Sequence, residues 1–333
     1  MSAASNLTLE PTVDASFSFT AKRLRQWCAP EVILAVTNFA DEDGLLFHLI
    51  RQARPGRTKV LLVNTVPGRA PSHCAAVLQL PRNAFAAGLA RQALDRMARQ
   101  LRWVGIGCEP VLLKGTAPEE IAALAKARAV DRVLITAHSG TKALQRTLAE
   151  ELAPGLGAPV CVVPERVSPG LAGEKAAGRI TLALSLRSNS EMPLAFASRL
   201  AQEQKSHLTV MHVFTGGDNG VAPFGRSPMS VASRLLSAGL REAELFCPLE
   251  IAVREGDPAE EILRYQAETN QDYVVLAGPR AQCAASSDRV CAAHRITSGA
   301  RCPVIMLGRS TAPTRSVEIT AGSPKPPESV FMP

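Results

Sequence analysis

Aromatic residues make up only 4% of the 333-residue chain, although 46% of its residues are hydrophobic. Ala, Val and Leu must therefore do most of the packing, which suits helices laid on a parallel sheet. No run of 18 or more apolar residues occurs, so a spanning helix is excluded on length. The opening stretch MSAASNLTLEPTVDASFSFT has no basic segment followed by an apolar one, and does not read as a signal peptide. The eight cysteines (Cys28, Cys74, Cys108, Cys161, Cys247, Cys283, Cys291, Cys302) include no Cys-x-x-Cys pair. Without an export signal they read as reduced thiols, and the expected location is cytoplasmic. The net charge of +7 is carried by scattered residues, mostly Arg, with no run of five or more like charges. That distribution argues against a nucleic-acid surface and leaves non-specific solvation as the simplest account.

Catalytic signatures are missing as well. There is no G-x-x-x-x-G-K-[S/T] phosphate loop and no G-x-S-x-G nucleophile elbow. Gly155-Leu156-Gly157 lacks the third glycine of a dinucleotide fingerprint and precedes a strand, so it reads as a helix-to-strand turn. The six histidines are dispersed. His73-Cys74 and Cys291-x-x-His294 are the nearest approach to metal pairs, and neither has sequence partners, so no metal site is expected. Cys283 and Cys291 would be redox-sensitive only if Arg280 or Arg289 lay close, since a neighbouring cation lowers a thiol pKa.

What the chain does contain is one unit written twice. Gly115-Thr116-Ala117-Pro118-Glu119-Glu120-Ile121 matches Gly256-Asp257-Pro258-Ala259-Glu260-Glu261-Ile262 at an offset of 141. The same offset carries Asp131-Arg132-Val133-Leu134-Ile135 onto Asp272-Tyr273-Val274-Val275-Leu276. Ala158 to Val163 then matches Cys302 to Leu307, while upstream Glu31 to Val36 pairs with Arg179 to Leu184 and Val60 to Asn64 with Leu208 to His212. An ordered series of this kind is not a chance match.

In the first copy, short runs apolar on both parities predict strands at Val32–Val36, Val60–Val63, Val111–Leu113, Val133–Thr136 and Val160–Val163. Helical patterns fill the gaps. Over Pro118 to Val130 the residues Ile121, Leu124, Ala125 and Ala129 fall on a core-facing stripe. Thr116 with Glu119, and Asp257 with Glu260, are placed as helix-entry capping boxes, and Pro258 suits the first helical position. Over Ala90–Trp103, Arg91, Arg96, Arg99 and Arg102 form a solvated basic face, with Asp95 spaced to pair with Arg99. Alternating strands and helices predict a parallel, doubly wound sheet in each copy. The resulting division is a flexible tail over 1–28, a first domain over 29–165, a linker over 166–178, a second domain over 179–309 and a disordered tail over 310–333.

The order of the first-strand run, the G-x-x-P-E-E-I helix start, the D-R-V-L-I strand and the terminal A-P-V-C-V-V strand resembles the universal stress protein family. The likeness covers roughly residues 30–165 and 178–309. It implies two tandem five-stranded parallel sheets, Rossmann-like and similar to the adenine nucleotide α-hydrolases. It also implies dimer-like pairing of Val160–Val163 with Val304–Leu307, an intrachain pseudo-dimer that would cover both sheet edges; a homodimer of whole chains is compatible with it.

One branch of that family binds ATP, and the resemblance implies an Asp ending the first strand and three glycines after the fourth. Here Thr37 stands at the Asp position and Thr136, Ser139 and Ala149 at the glycines, followed by Glu150; counting back from Pro159 instead puts the last pair on Arg146-Thr147. In the second copy the positions are Ser185, Ala277, Arg280, Val290 and Cys291. Backbone approach to phosphate needs those glycines. What remains is a vestigial pocket of Thr37, Thr136, Ser139, Ser185 and Arg280. The expectation is a stress-type regulatory or scaffold protein acting through protein–protein contacts without nucleotide hydrolysis, not an enzyme, and with no cofactor. The alternative is a module sensing ATP, AMP or another anion through an altered pocket.

Overall fold

The computed structural model describes residues 23–38, 42–66, 80–136, 148–164, 178–184, 191–215, 247–277 and 291–308. A short helix, α1, covers residues 23–28. The first half continues β1 (Val32–Val36), α2 (Glu42–Gln52), β2 (Lys59–Val66), α3 (Leu80–Trp103), β3 (Gly107–Lys114), α4 (Ala117–Ala127), β4 (Arg132–Thr136), α5 (Leu148–Leu152) and β5 (Val160–Val163). The second half runs β6 (Arg179–Ala183), α6 (Glu191–Gln204), β7 (His207–Phe214), β8 (Leu249–Glu255), α7 (Pro258–Thr269), β9 (Tyr273–Ala277), α8 (Ala292–Gly299) and β10 (Val304–Leu307).

All ten strands join one sheet in the order β3-β2-β1-β4-β5-β10-β9-β6-β7-β8. Each half is parallel throughout and has the same internal order. The halves meet at β5 and β10, which pair antiparallel with Val304 opposite Val162, Ile305 opposite Cys161 and Met306 opposite Val160. The two five-stranded parallel sheets expected from the sequence are therefore continuous with each other. At this seam space is tight: a Cβ added to Gly308 would lie 2.1 Å from the backbone oxygen of Ala153.

Side-chain alternation divides the core into two layers. Ile33, Ala35, Val60, Leu62, Cys161, Val163, Ile305 and Leu307 face the layer that holds α2, α3 and α6. Leu34, Val36, Leu61, Val63, Val160, Val162, Val304 and Met306 face the layer of α4, α5, α7 and α8. Because successive strand residues point to opposite faces, apolar residues on both parities are needed to bury both. Each layer contains residues of both halves, so the apolar core does not stop at the seam.

Four local features depart from the sequence expectation. Of the flexible tail expected over 1–28, residues 23–28 are helical with Trp27 and Cys28 buried, and the rest lies outside the described residues. Trp27 packs edge-on against Phe196 at 6.3 Å, and the buried Arg132 donates to the Trp27 carbonyl and, at 2.9 Å, to Gln52 Oε1. The long helix α3 starts ten residues before Ala90. The capping box at Thr116 does not form, since its hydroxyl donates to the Glu119 carboxylate and no backbone N–H is capped. Asp95 makes no pair with Arg99; Arg96 reaches Glu42 on α2 instead, at 2.6 and 2.8 Å. Ser139, Ser185, Arg280, Arg289, Cys74 and Cys283 lie outside the described residues, as do the 310–333 tail and nearly all of the 166–178 linker.

Candidate functional site at the strand ends

Open α/β sheets present ligands beyond the carboxyl ends of their strands, so the residues just past β1 and β4 define the candidate site of the first half. β1 and β4 are neighbours with Val36 opposite Ile135, which brings Thr37 and Thr136 side by side at the sheet end. Both are buried, each 3% exposed. The Thr37 amide donates to the Val63 carbonyl at 2.9 Å, and the Thr37 carbonyl accepts from Asn64 Nδ2 at 2.6 Å. The second half repeats the device. His212, which the repeat aligns with Asn64, places Nδ1 2.9 Å from the Leu184 carbonyl. A carbonyl can only accept, so Nδ1 carries the proton. Sequence reading did not single out Asn64 and His212, and their shared place in the repeat was the available signal.

A second polar group joins the halves. Glu150 on α5 lies 3.8 Å from the Cys291 thiol and 3.6 Å from His294 Nδ1, and its side chain is 9% exposed. Glu150 and Cys291 are equivalent positions of the two copies, so the two degenerate loop ends meet across the seam. With Glu150 in the phosphate-loop register, a half-buried carboxylate stands there. That is the wrong sign for a triphosphate. Ala149 is buried within the same short helix.

At the opposite ends of the strands, Asp131 and Asp272 serve the fold. Asp131 Oδ2 accepts from the amides of Glu31 and Val32, both at 2.9 Å, and Asp272 Oδ2 accepts from Arg179 N at 2.9 Å. Burial pushes the Asp131 carboxyl above its usual range against the pull of the Val32 and Glu31 amides. The repeat showed both aspartates, but their role as clamps on the first strand of each half needed the structure.

The described thiols are buried or half-buried, and none forms a disulfide with another. Burial pushes Cys28 up to about 12 and Cys108 and Cys161 up to about 11, which keeps them protonated and weakly nucleophilic. Among the described residues no group of three or more His, Cys, Asp or Glu side chains is arranged to hold a metal ion. No helix of the described residues is long and apolar enough to cross a membrane.

Residues 177–307 match the sequence model of the universal stress protein family. No curated protein matches the chain. Among solved structures, a universal stress protein from Archaeoglobus fulgidus DSM 4304 superposes with a TM-score of 0.61 at 14% identity, covering 84% of this chain and 98% of that one. A functionally unknown protein from Pseudomonas aeruginosa PAO1 superposes with a TM-score of 0.56 at 14% identity, covering 86% of this chain and 95% of that one. At this identity the likeness speaks for the fold. The chain thus carries, over residues 177–307, a domain of the universal stress protein family, within an α/β fold that a universal stress protein shares along most of its length.

Proposed function

We propose that this chain is a regulatory or scaffold protein of the universal stress type that works in the cytoplasm through protein contacts and does not hydrolyse nucleotide. The observation that carries the reading is the state of the first strand-end site. Thr37 and Thr136 are buried side by side where ATP-binding relatives are expected to have an aspartate and a glycine. A threonine at the glycine position places a branched side chain where the backbone must approach phosphate. The half-buried Glu150 adds a like charge in the register that follows Ala149. In this reading the chain comprises two domains, over 29–165 and 179–309, and is its own dimer; the β5–β10 pairing supports that. Both strands have the other as a neighbour, so neither is left as an open edge.

A thermal-shift titration tests the proposal. The melting temperature is expected to stay constant with ATP or AMP up to millimolar concentration. A saturable rise would overturn the reading, because a ligand that binds only the native state must raise stability.

A second reading keeps a ligand at the same place. Thr37 and Thr136 are small polar residues adjacent at the carboxyl ends of two strands, which suits an anion sensor completed by Ser139, or by Ser185 and Arg280 in the second half. It predicts a saturable shift that Thr37→Asp or Arg280→Ala changes.

A further inference from the structure

Among the described residues, four large hydrophobic side chains are exposed, and three of them belong to α3 or its last turn: Leu89 at 50%, Trp103 at 92% and Val104 at 40%. Leu89, Gln92, Arg96, Arg99 and Trp103 follow one another at alternating spacings of three and four residues. That spacing places them in one stripe along the helix, the seam by which helices pack on one another. The opposite side of α3 is already used, with Ala93, Leu94, Met97, Ala98 and Leu101 in the core. Among the described residues the stripe is therefore a second seam with no helix laid on it, about 21 Å long at 1.5 Å per residue, apolar at both ends and basic between.

Trp103 is not exposed because the helix end frays. Arg102 on the same turn donates from Nε and Nη2 to the Cys108 carbonyl at 3.1 and 2.6 Å, which ties α3 to β3. The following turn is closed by Gly105 N to Arg102 O at 3.0 Å and by Ile106 N to Leu101 O at 3.0 Å. Gly105 takes a positive φ of 81° and its carbonyl accepts from Gly56 N at 3.0 Å. The indole thus stands on a fixed platform. Rigid aromatic anchors of this kind, with an arginine close by, dominate binding at protein interfaces.

Charge selects the occupant. Arg96 is already engaged by Glu42, whereas Arg99 is exposed and makes no ion pair among the described residues. A second copy laid antiparallel on this stripe, Leu89 against Trp103, would set Arg96 against its own counterpart and Arg99 near Gln92, with no acidic stripe residue to meet either arginine. We propose that the α3 stripe docks an amphipathic helix of a partner protein whose apolar residues, two heptads apart, cover Leu89 and Trp103 while acidic residues between them meet Arg99. This rests on the reading that the chain works through protein contacts and names the surface that does so.

The chain has two tryptophans, and Trp27 is buried, so the solvent-exposed part of the emission reports Trp103. The probe is a synthetic helical peptide with leucines two heptads apart and glutamates between, beside a control peptide with lysine at each glutamate. The glutamate peptide is expected to give a saturable blue shift that Trp103→Phe abolishes and that the lysine peptide does not give. Arg99→Glu is expected to weaken the glutamate peptide by about tenfold and to favour the lysine peptide. Both positions are exposed, so an unchanged circular-dichroism melt verifies that the variants fold. Equal shifts from the two peptides, no shift from either, or a shift from phosphatidylserine vesicles without one from the glutamate peptide would each overturn the proposal. Cross-linking of full-length protein to a partner that is unaltered in the Trp103→Ala, Arg99→Glu double variant would also overturn it, while leaving the protein-contact reading in place.

Discussion

His48 sits in α2 with 1% of its surface exposed, and its Nε2 has no hydrogen-bond partner. Burial, reinforced by Arg51, lowers its pKa from 6.5 to about 4. The unfolded chain therefore binds the proton more tightly, and native stability falls as the pH drops from 6.5 toward 4. Linkage puts the loss at about 2 kcal/mol by pH 5. Asp131 shifts the other way: its raised pKa favours the folded state as acid is added. Thermal melts at pH 7 and pH 5 are expected to show a drop in the wild type that is largely absent in His48→Leu. The same drop in both proteins would show that this imidazole is not the acid-sensitive group.

Among the elements, the two copies of one helix entry have diverged. At α7, Asp257 Oδ1 accepts from the amides of Ala259 and Glu260, each at 3.0 Å, and Arg295 from α8 donates to both of its carboxylate oxygens at 2.9 Å. The Glu260 amide, with the Arg295 guanidinium, holds Asp257 below the usual carboxylate range. A depressed folded pKa means the cap contributes above the unfolded value of 3.8 and is lost as pH falls through the folded one. Asp257→Ala is expected to cost about 1 kcal/mol at pH 7 in urea denaturation. Thr116→Ala at α4 is expected to cost less, because that hydroxyl caps no amide. Equal costs would contradict the assignment.

The sequence gives strand positions well and side-chain assignments poorly. β1 and β5 have the bounds read from their apolar runs, and β2 and β3 are longer because their polar ends continue in register, from Lys59 opposite Gly107 to Val66 opposite Lys114. Polar periodicity marks a helix face but not which partner a long side chain reaches. Arg96 thus took Glu42 from another helix, and Asp95 was left without Arg99. At the candidate site, Thr37 and Thr136 were legible as strand-end residues, and the β1–β4 pairing that sets them side by side came from the structure. Asn64, His212 and the meeting of Glu150 with Cys291 depend on contacts across strands or across the seam, which no local pattern carries.

At the scale of the molecule, the repeat has become one sheet whose middle is the β5–β10 pair. Close approach there depends on Gly308, whose missing Cβ leaves room for the Ala153 and Leu156 carbonyls. Gly308→Val is expected to strain the seam and cost about 1–3 kcal/mol in chemical denaturation, the range for overpacking a tight site. A variant as stable as the wild type would show that the halves do not abut in this way.

The outer strand of the first half carries little invitation to growth. β3 places Pro110 opposite Leu62, and Glu109 in the same strand is tied to Lys59 and Arg128 at 2.6 and 2.9 Å. Proline and charge on an edge discourage further strand addition. With its inner edges paired and the β3 edge so blunted, the first half has helix faces left to offer a partner.

The central claim is that neither strand-end site cradles a triphosphate, so that function rests on surfaces. Native mass spectrometry of the purified full-length protein, before and after equilibration with millimolar ATP, tests it most directly. The account predicts the mass of the bare chain in both spectra. A stoichiometric adduct of one or two ATP molecules that survives buffer exchange and is lost in Thr136→Arg would contradict it.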